Sequence, residues 1–130
     1  GGKSFAVLNG GLEQIEPEEN SPLAVDIAQT GGLISEYPPE QKTEPLNYKA
    51  ANRIIAALAQ AVVITEFYKD SVETLDLLTC CHQIGKLAFV LVDPHPGALT
   101  DKVAFDRAVT CGAITQVGLD NIDDLIKSLV

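Results

Sequence analysis

Apolar and polar positions follow each other in blocks along this chain, and the blocks predict alternating strands and helices. Short, mainly apolar runs, typical of buried strands, occupy residues 4–8, 33–34, 61–65, 87–92 and 113–117. Apolar residues at helical spacing lie between and after them, in residues 21–30, 47–60, 71–84, 101–111 and 122–129. This alternation predicts an α/β fold: a Rossmann-like, doubly wound, mainly parallel sheet with helices on both faces.

The same pattern predicts which parts of these elements are buried. The apolar stripe of the first helix consists of Leu23, Ile27 and Ala28, and that of the second consists of Ala51, Ile54, Ile55 and Leu58. The β-branched run at 61–65 predicts a central strand covered on both faces. The prolines within residues 37–46 predict an extended loop without regular structure.

The size and hydrophobicity of the chain indicate one globular domain. With 130 residues and 46% hydrophobic content, residues 1–130 can form a single core. No run approaches the ~18 apolar residues of a membrane span, and no basic segment followed by an apolar one marks a signal peptide. We therefore expect a cytoplasmic protein without a membrane partner.

Three cysteines, Cys80, Cys81 and Cys111, do not form a disulfide or zinc pattern. Their number is odd, two are adjacent, and the spacing Cys-x-x-Cys is absent. Because free cysteine is often simply buried, we expect at least one of Cys80 and Cys81 to lie in the core.

Acidic residues outnumber basic ones by 18 to 9, which gives a formal net charge of −9. No basic residue occurs between Lys3 and Lys42. Since proteins that bind polyanions usually present a basic face, this balance argues against extensive contact with nucleic acid.

Several polar residues follow the predicted strands directly. In a parallel sheet the carboxyl ends of the strands share one edge, where α/β proteins bind ligands. Here those ends are occupied by Asn9, Gly10 and Gly11, by Ser35 and Glu36, by Thr65 and Glu66, and by Asp93. Glycines at this place either cradle a phosphate or form a plain turn, and the sequence leaves both open.

Arg53 falls in the first two turns of the predicted second helix, where the helix dipole favours anions. Its planar guanidinium suits phosphate oxygens, and Lys49 lies one turn earlier. Asn52 could hydrogen-bond a base or the loop that carries Glu36. The alternative is an ion pair of Arg53 with Glu36 or Glu66 that ties strand ends together.

The candidate carboxylates Glu36, Glu66 and Asp93 could bind a divalent cation or transfer protons. However, the sequence contains neither a metal-ligand spacing nor a nucleophile elbow. We therefore predict no metal, no cofactor and no enzymatic activity.

Five segments resemble the DNA-processing protein A (DprA/Smf) family in order along the chain. They are residues 2–8, residues 11–20 with Gly11, Pro17 and Asn20, residues 33–39 (Leu-Ile-Ser-Glu-Tyr-Pro-Pro), residues 52–58 (Asn-Arg-Ile-Ile-Ala-Ala-Leu), and residues 62–66. The resemblance covers nearly the whole chain and implies a Rossmann-like fold.

The resemblance also implies a function. Members of this family bind single-stranded DNA and help to load the RecA recombinase in natural transformation, and they are not established enzymes. A homodimer is the implied state. The implied nucleic-acid or phosphate-binding residues are Asn9, Gly10, Gly11, Ser35, Glu36, Lys49, Asn52, Arg53, Glu66 and Ser71.

The chain departs from the family pattern in three places. The family's first half does not precede Gly1, so we expect the chain to be part of a longer protein. One family arginine is replaced near Lys49, and a family glycine is lost after Ser71, where Glu73 and Asp76 add negative charge. A small-nucleotide-binding module, a nucleotide N-glycosidase lacking its glycine-rich loop, and a purely structural subdomain are the alternatives.

Overall fold

The computed structural model describes residues 2–65, 71–91, 106, 108–110, 115–117 and 122–129. Contacts along the backbone divide the chain into a first unit, Gly1–Ile54, and a second unit, Ile55–Val130. Each unit has its own parallel sheet. The prediction of one domain over residues 1–130 stays a prediction.

The first unit contains a two-stranded sheet connected by a helix. Strand β1 (Phe5–Val7) is followed by a short 3-10 turn (Glu18–Asn20), helix α1 (Ser21–Thr30) and strand β2 (Gly32–Ile34). The two strands are parallel, with Phe5 opposite Gly32 and Val7 opposite Ile34. This β-α-β order is the one that the sequence pattern predicts.

The sharp change of direction between α1 and β2 depends on glycine. The Gly31 amide donates a hydrogen bond to the Ile27 carbonyl at 2.8 Å and closes the helix. A Cβ atom at Gly31 would lie 1.6 Å from the Ser4 carbonyl oxygen. Only glycine therefore lets the chain enter β2 this close to the residue that precedes β1.

Helix α2 (Tyr48–Leu58) follows the proline-containing loop of residues 37–46. The division into two units falls within this helix, between Ile54 and Ile55. Residues 37–46, as predicted, contain neither helix nor strand. The helix is one residue shorter at its start and two shorter at its end than the predicted 47–60.

The second unit contains a three-stranded parallel sheet in the order β3-β4-β5. The strands are β3 (Ala61–Ile64), β4 (Leu87–Leu91) and β5 (Thr115–Val117). Helix α3 (Val72–Gln83) connects β3 to β4, residues 106 and 108–110 are helical, and helix α4 (Ile122–Ser128) follows β5. The predicted α/β class, with parallel strands alternating with helices, is confirmed.

The core of the second unit is built from small and medium apolar residues. Its buried members are Ala56, Val62, Ile64, Leu78, Cys81, Ala88, Val90 and Ala108. The prediction that one of the adjacent cysteines is in the core is confirmed by Cys81, whereas Cys80 is only partly buried. Burial raises the pKa of the Cys81 thiol above its usual value, chiefly because the thiolate would be poorly solvated there.

Several predictions of buried faces were wrong. Leu23 is 57% exposed, and Ala24 is the buried residue of α1. In α2, Leu58 is 67% exposed, whereas Ala51 is buried as predicted, together with Asn52 and Ala56. Small alanines allow close approach of neighbouring backbone, and the larger leucines at the rim of the stripe remain in solvent.

Both faces of β3 are covered, as predicted for the run at 61–65: Val62 and Ile64 lie in one apolar cluster, and Ala61 and Val63 pack against another. Among the described strands of this sheet, β4 lies between β3 and β5.

The described helices are all too short or too polar to cross a bilayer. The predicted strand ends at Glu66 and Asp93 lie outside the described residues.

Candidate functional site

The carboxyl ends of β1 and β2 form one edge of the first unit's sheet. The Leu8 amide extends the pairing by donating a hydrogen bond to the Ile34 carbonyl at 2.9 Å. Asn9 and Gly10 follow one strand, and Ser35 and Glu36 follow the other. Parallel pairing therefore brings these predicted site residues to the same edge.

Ser35 connects the two strand ends through its hydroxyl group. Its Oγ donates a hydrogen bond to the Gly10 carbonyl oxygen at 2.7 Å. The same Oγ accepts a hydrogen bond from the Tyr37 amide at 3.0 Å. The Ser35 side chain thus holds the backbone on both sides of Glu36, and its hydroxyl proton is committed to the protein.

Asn47 makes a second connection at this edge, and it is not among the residues predicted for the site. Its side chain is 6% exposed, and its Nδ2 donates a hydrogen bond to the Asn9 carbonyl at 2.7 Å. The Tyr37 hydroxyl donates to the Asn47 carbonyl at 3.5 Å, a long contact. An asparagine before a helix usually caps that helix, so the residues around Asn47 do not indicate a hydrogen bond to a distant strand end.

The Gly10-Gly11 turn packs against the proline-rich loop. The Gly11 amide donates a hydrogen bond to the Gln41 carbonyl at 2.8 Å. A Cβ atom at Gly11 would lie 2.0 Å from the Pro38 carbonyl oxygen. Close loop packing explains the glycine, and the Gly11 amide is already used; the geometry favours the plain turn over the phosphate cradle.

Arg53 on α2 forms an ion pair with Glu36, through its Nη2 atom and the Glu36 Oε1 atom. This is one of the two alternatives that the sequence left open. The two side chains are 66% and 41% exposed. An exposed pair of this kind contributes only about 0–1 kcal/mol, so an incoming anion can displace the carboxylate from the guanidinium at little cost.

Lys49 and Asn52 lie on the same helix in different environments. Lys49 is exposed and precedes Arg53 by four residues, a spacing that puts two side chains on one helix face. Asn52 is 7% exposed, which favours the alternative that it hydrogen-bonds within the protein rather than to a base. The accessible cations of this helix are therefore Lys49 and Arg53.

The other two predicted site residues, Glu66 and Ser71, fall within the second unit of the chain. Ser71 belongs to the second unit, where it precedes α3 and its carbonyl accepts a hydrogen bond from the Leu75 amide at 3.0 Å. Glu66 lies outside the described residues. Among the residues that the structure describes, no group of three His, Cys, Asp or Glu side chains could hold a metal ion.

The first unit has a surface cleft at its sheet edge and a wider cleft along residues 13–21. A cleft of about 150 Å³ is lined by residues that include Asn9, Gly10, Gln14 and Thr43. A wider cleft of about 390 Å³ is lined by Glu13, Glu16, Glu18 and Lys42 among others. The wider one carries more carboxylates than cations, so it is unsuited to phosphate.

Residues 1–125 match the model of a protein family described as DNA recombination-mediator protein A. The chain is 32% identical over 103 residues to the DNA processing protein DprA of Bacillus subtilis. This alignment covers 79% of this chain and 33% of that protein. It is 34% identical over 100 residues to the protein Smf of Escherichia coli, covering 75% of this chain and 26% of that protein. The chain thus spans a third or less of these relatives.

Two solved structures resemble the fold of this chain. One is DNA processing protein A from Helicobacter pylori, described for its single-stranded DNA binding mode; the TM-score is 0.76 at 25% identity, covering 96% of this chain and 55% of that one. The other is DprA from Streptococcus pneumoniae, with a TM-score of 0.68 at 27% identity, covering 95% of this chain and 43% of that one.

Proposed function

This chain belongs to the DNA recombination-mediator protein A family, and we propose that it supplies a single-stranded DNA contact centred on Arg53. The exposed guanidinium at the carboxyl edge of β1 and β2 is the observation that carries this proposal. Arginine binds phosphate oxygens through two parallel N–H donors. A relative with a similar fold is described for its single-stranded DNA binding mode.

The proposed contact is small. The net charge is −9, so a long basic track for the DNA backbone is not expected. Lys49 and Arg53 together neutralise two phosphates. For two phosphates, a plot of the logarithm of the affinity for single-stranded DNA against the logarithm of the salt concentration has a slope of about −1.4. Raising the salt from about 50 mM to about 200 mM would then weaken binding roughly sevenfold.

A titration of the protein into labelled oligothymidylate at these two salt concentrations tests the proposal. Replacing Arg53 with alanine removes one phosphate contact, so the slope should fall to about −0.7 and the affinity at low salt should decrease. Lys127→Ala is the matched control, because Lys127 is also an exposed cation in an ion pair, with Asp124 at 3.5 Å.

Equal weakening by the two substitutions would mean that only net charge matters, and it would refute a contact at Arg53. Absence of binding at low salt would refute DNA binding by this chain altogether.

A small-nucleotide-binding module is the second candidate, because a single phosphate group needs only Arg53 and tolerates the net charge of −9. The cleft beside Asn9 and Gly10 offers less support. Its volume of about 150 Å³ is below the roughly 300 Å³ at which small-molecule sites begin. Mononucleotide binding that is insensitive to salt and abolished by Arg53→Ala would favour this candidate.

Assistance to the RecA recombinase and assembly as a homodimer complete the proposal. Both belong to whole family members, of which this chain covers 33% in the Bacillus subtilis case. Sedimentation equilibrium tests the dimer, and RecA filament assembly on DNA with and without the chain tests the assistance. A monomeric mass would refute the homodimer, and an unchanged rate of filament assembly would refute the assistance to RecA.

A further inference from the structure

We propose that Glu36 tunes which phosphates Arg53 accepts: it lowers the advantage of doubly charged phosphomonoesters over singly charged phosphodiesters, the kind found in a DNA backbone. The inference rests on the proposed function, since it concerns the same guanidinium. It adds a selectivity that a lone arginine lacks, because a guanidinium by itself attracts the more highly charged anion more strongly.

The backbone at Glu36 is held in place by its neighbours. On one side, the Ser35 hydroxyl is bonded to the Gly10 carbonyl at 2.7 Å. On the other side, the Tyr37 amide is bonded to that same hydroxyl at 3.0 Å. The backbone that carries the Glu36 carboxylate is therefore held at the sheet edge, whether or not its side chain contacts Arg53.

This fixed position has two consequences for an incoming phosphate. The phosphate must first replace the carboxylate on the guanidinium, and this competition costs the same for every anion. The phosphate then lies near a carboxylate that has been displaced but not removed. The repulsion between them grows with the charge of the phosphate, so a dianion is penalised about twice as much as a monoanion.

The ratio of two affinities isolates the second effect from the first. Dimethyl phosphate is a monoanion, whereas methyl phosphate is largely a dianion at about pH 8, since its second pKa is about 6. Loss of competition raises both affinities by the same factor and cancels in their ratio. The ratio therefore reports the repulsion by the Glu36 carboxylate.

The experiment titrates each phosphate into the full chain and follows the Arg53 side-chain N–H resonance by NMR. In Glu36→Gln, both affinities should rise, and the ratio of methyl phosphate to dimethyl phosphate affinity should rise roughly two- to threefold. Glutamine retains an oxygen that can accept a hydrogen bond from Arg53, so the guanidinium stays oriented. Glu40→Gln removes one exposed carboxylate from the same loop and should leave the ratio unchanged.

An unchanged ratio in Glu36→Gln, or an equal change in Glu40→Gln, would overturn the proposal. So would the absence of any effect of either phosphate on Arg53. Failure of the proposed function is recognised separately, because it is decided by the oligothymidylate titration. If the chain does not bind DNA but the affinity ratio changes as predicted, the proposed function is refuted and the selectivity conferred by Glu36 stands.

Discussion

The two units of this chain hold their sheets in different ways. In the second unit, buried apolar side chains such as Leu78, Cys81 and Val90 pack around β3 and β4. At the edge of the first unit, the strand ends are tied by polar side chains, Ser35 to Gly10 and Asn47 to Asn9. Apolar burial stabilises a fold but does not orient individual groups, whereas hydrogen bonds orient each donor and acceptor. The candidate site lies at the sheet edge whose groups are oriented by hydrogen bonds.

The largest effect is expected from Leu78→Ala, which leaves a cavity in the apolar core. Leu78 is among the most deeply buried large side chains, and Leu→Ala substitutions in cores cost about 2–5 kcal/mol. Urea unfolding should report this loss. Leu58→Ala is the control, because the exposed Leu58 side chain should change the unfolding free energy by less than about 0.5 kcal/mol. Similar losses for both would show that this core does not dominate the stability.

An intermediate effect is expected from Asn47→Ala, which removes the buried side-chain donor to the half-buried Asn9 carbonyl. Loss of a buried hydrogen-bond partner costs about 1–3 kcal/mol. The measurement is again urea unfolding, with Asn20→Ala at an exposed asparagine as control. A loss no greater than that of Asn20→Ala would show that hydrogen bonds at the edge contribute little.

The smallest effect is expected from the Arg53–Glu36 ion pair. A double-mutant cycle with Arg53→Ala and Glu36→Ala should give a coupling energy of about 0.2–1 kcal/mol, because both side chains are exposed to solvent. The coupling should decrease further at about 1 M salt, where the screening length is about 3 Å. A coupling well above this range would mean that the pair stabilises the fold and is not readily displaced by phosphate.

Much of the fold could be predicted from local pattern. The apolar run around Phe5–Val7 and the glycines after Thr30 place β1, α1 and β2 within one or two residues of their observed bounds. The run at 87–92 likewise predicts β4. These predictions succeed because strand and helix periodicity, with glycine and proline at the ends, depends only on neighbours in sequence.

The candidate site could be predicted only in part. Residues that follow parallel strands must share an edge, so Asn9, Gly10, Ser35 and Glu36 were found from topology alone. The sequence could not choose between Glu36 and Glu66 as partner of Arg53, because that choice depends on the path of the intervening loop. Asn47 was missed because its partner Asn9 lies 38 residues away.

The sequence by itself determined the α/β class, the order of the elements and the kinds of polar residue available at one sheet edge. Only the tertiary structure decided that Glu36 faces Arg53, that Gly11 serves close packing against Pro38, and that Leu23 and Leu58 remain exposed. The physical reason is the range of the interactions. Periodicity and turn preferences act between neighbours, whereas ion pairs, close approaches and burial depend on segments that meet only after the loops between them have closed.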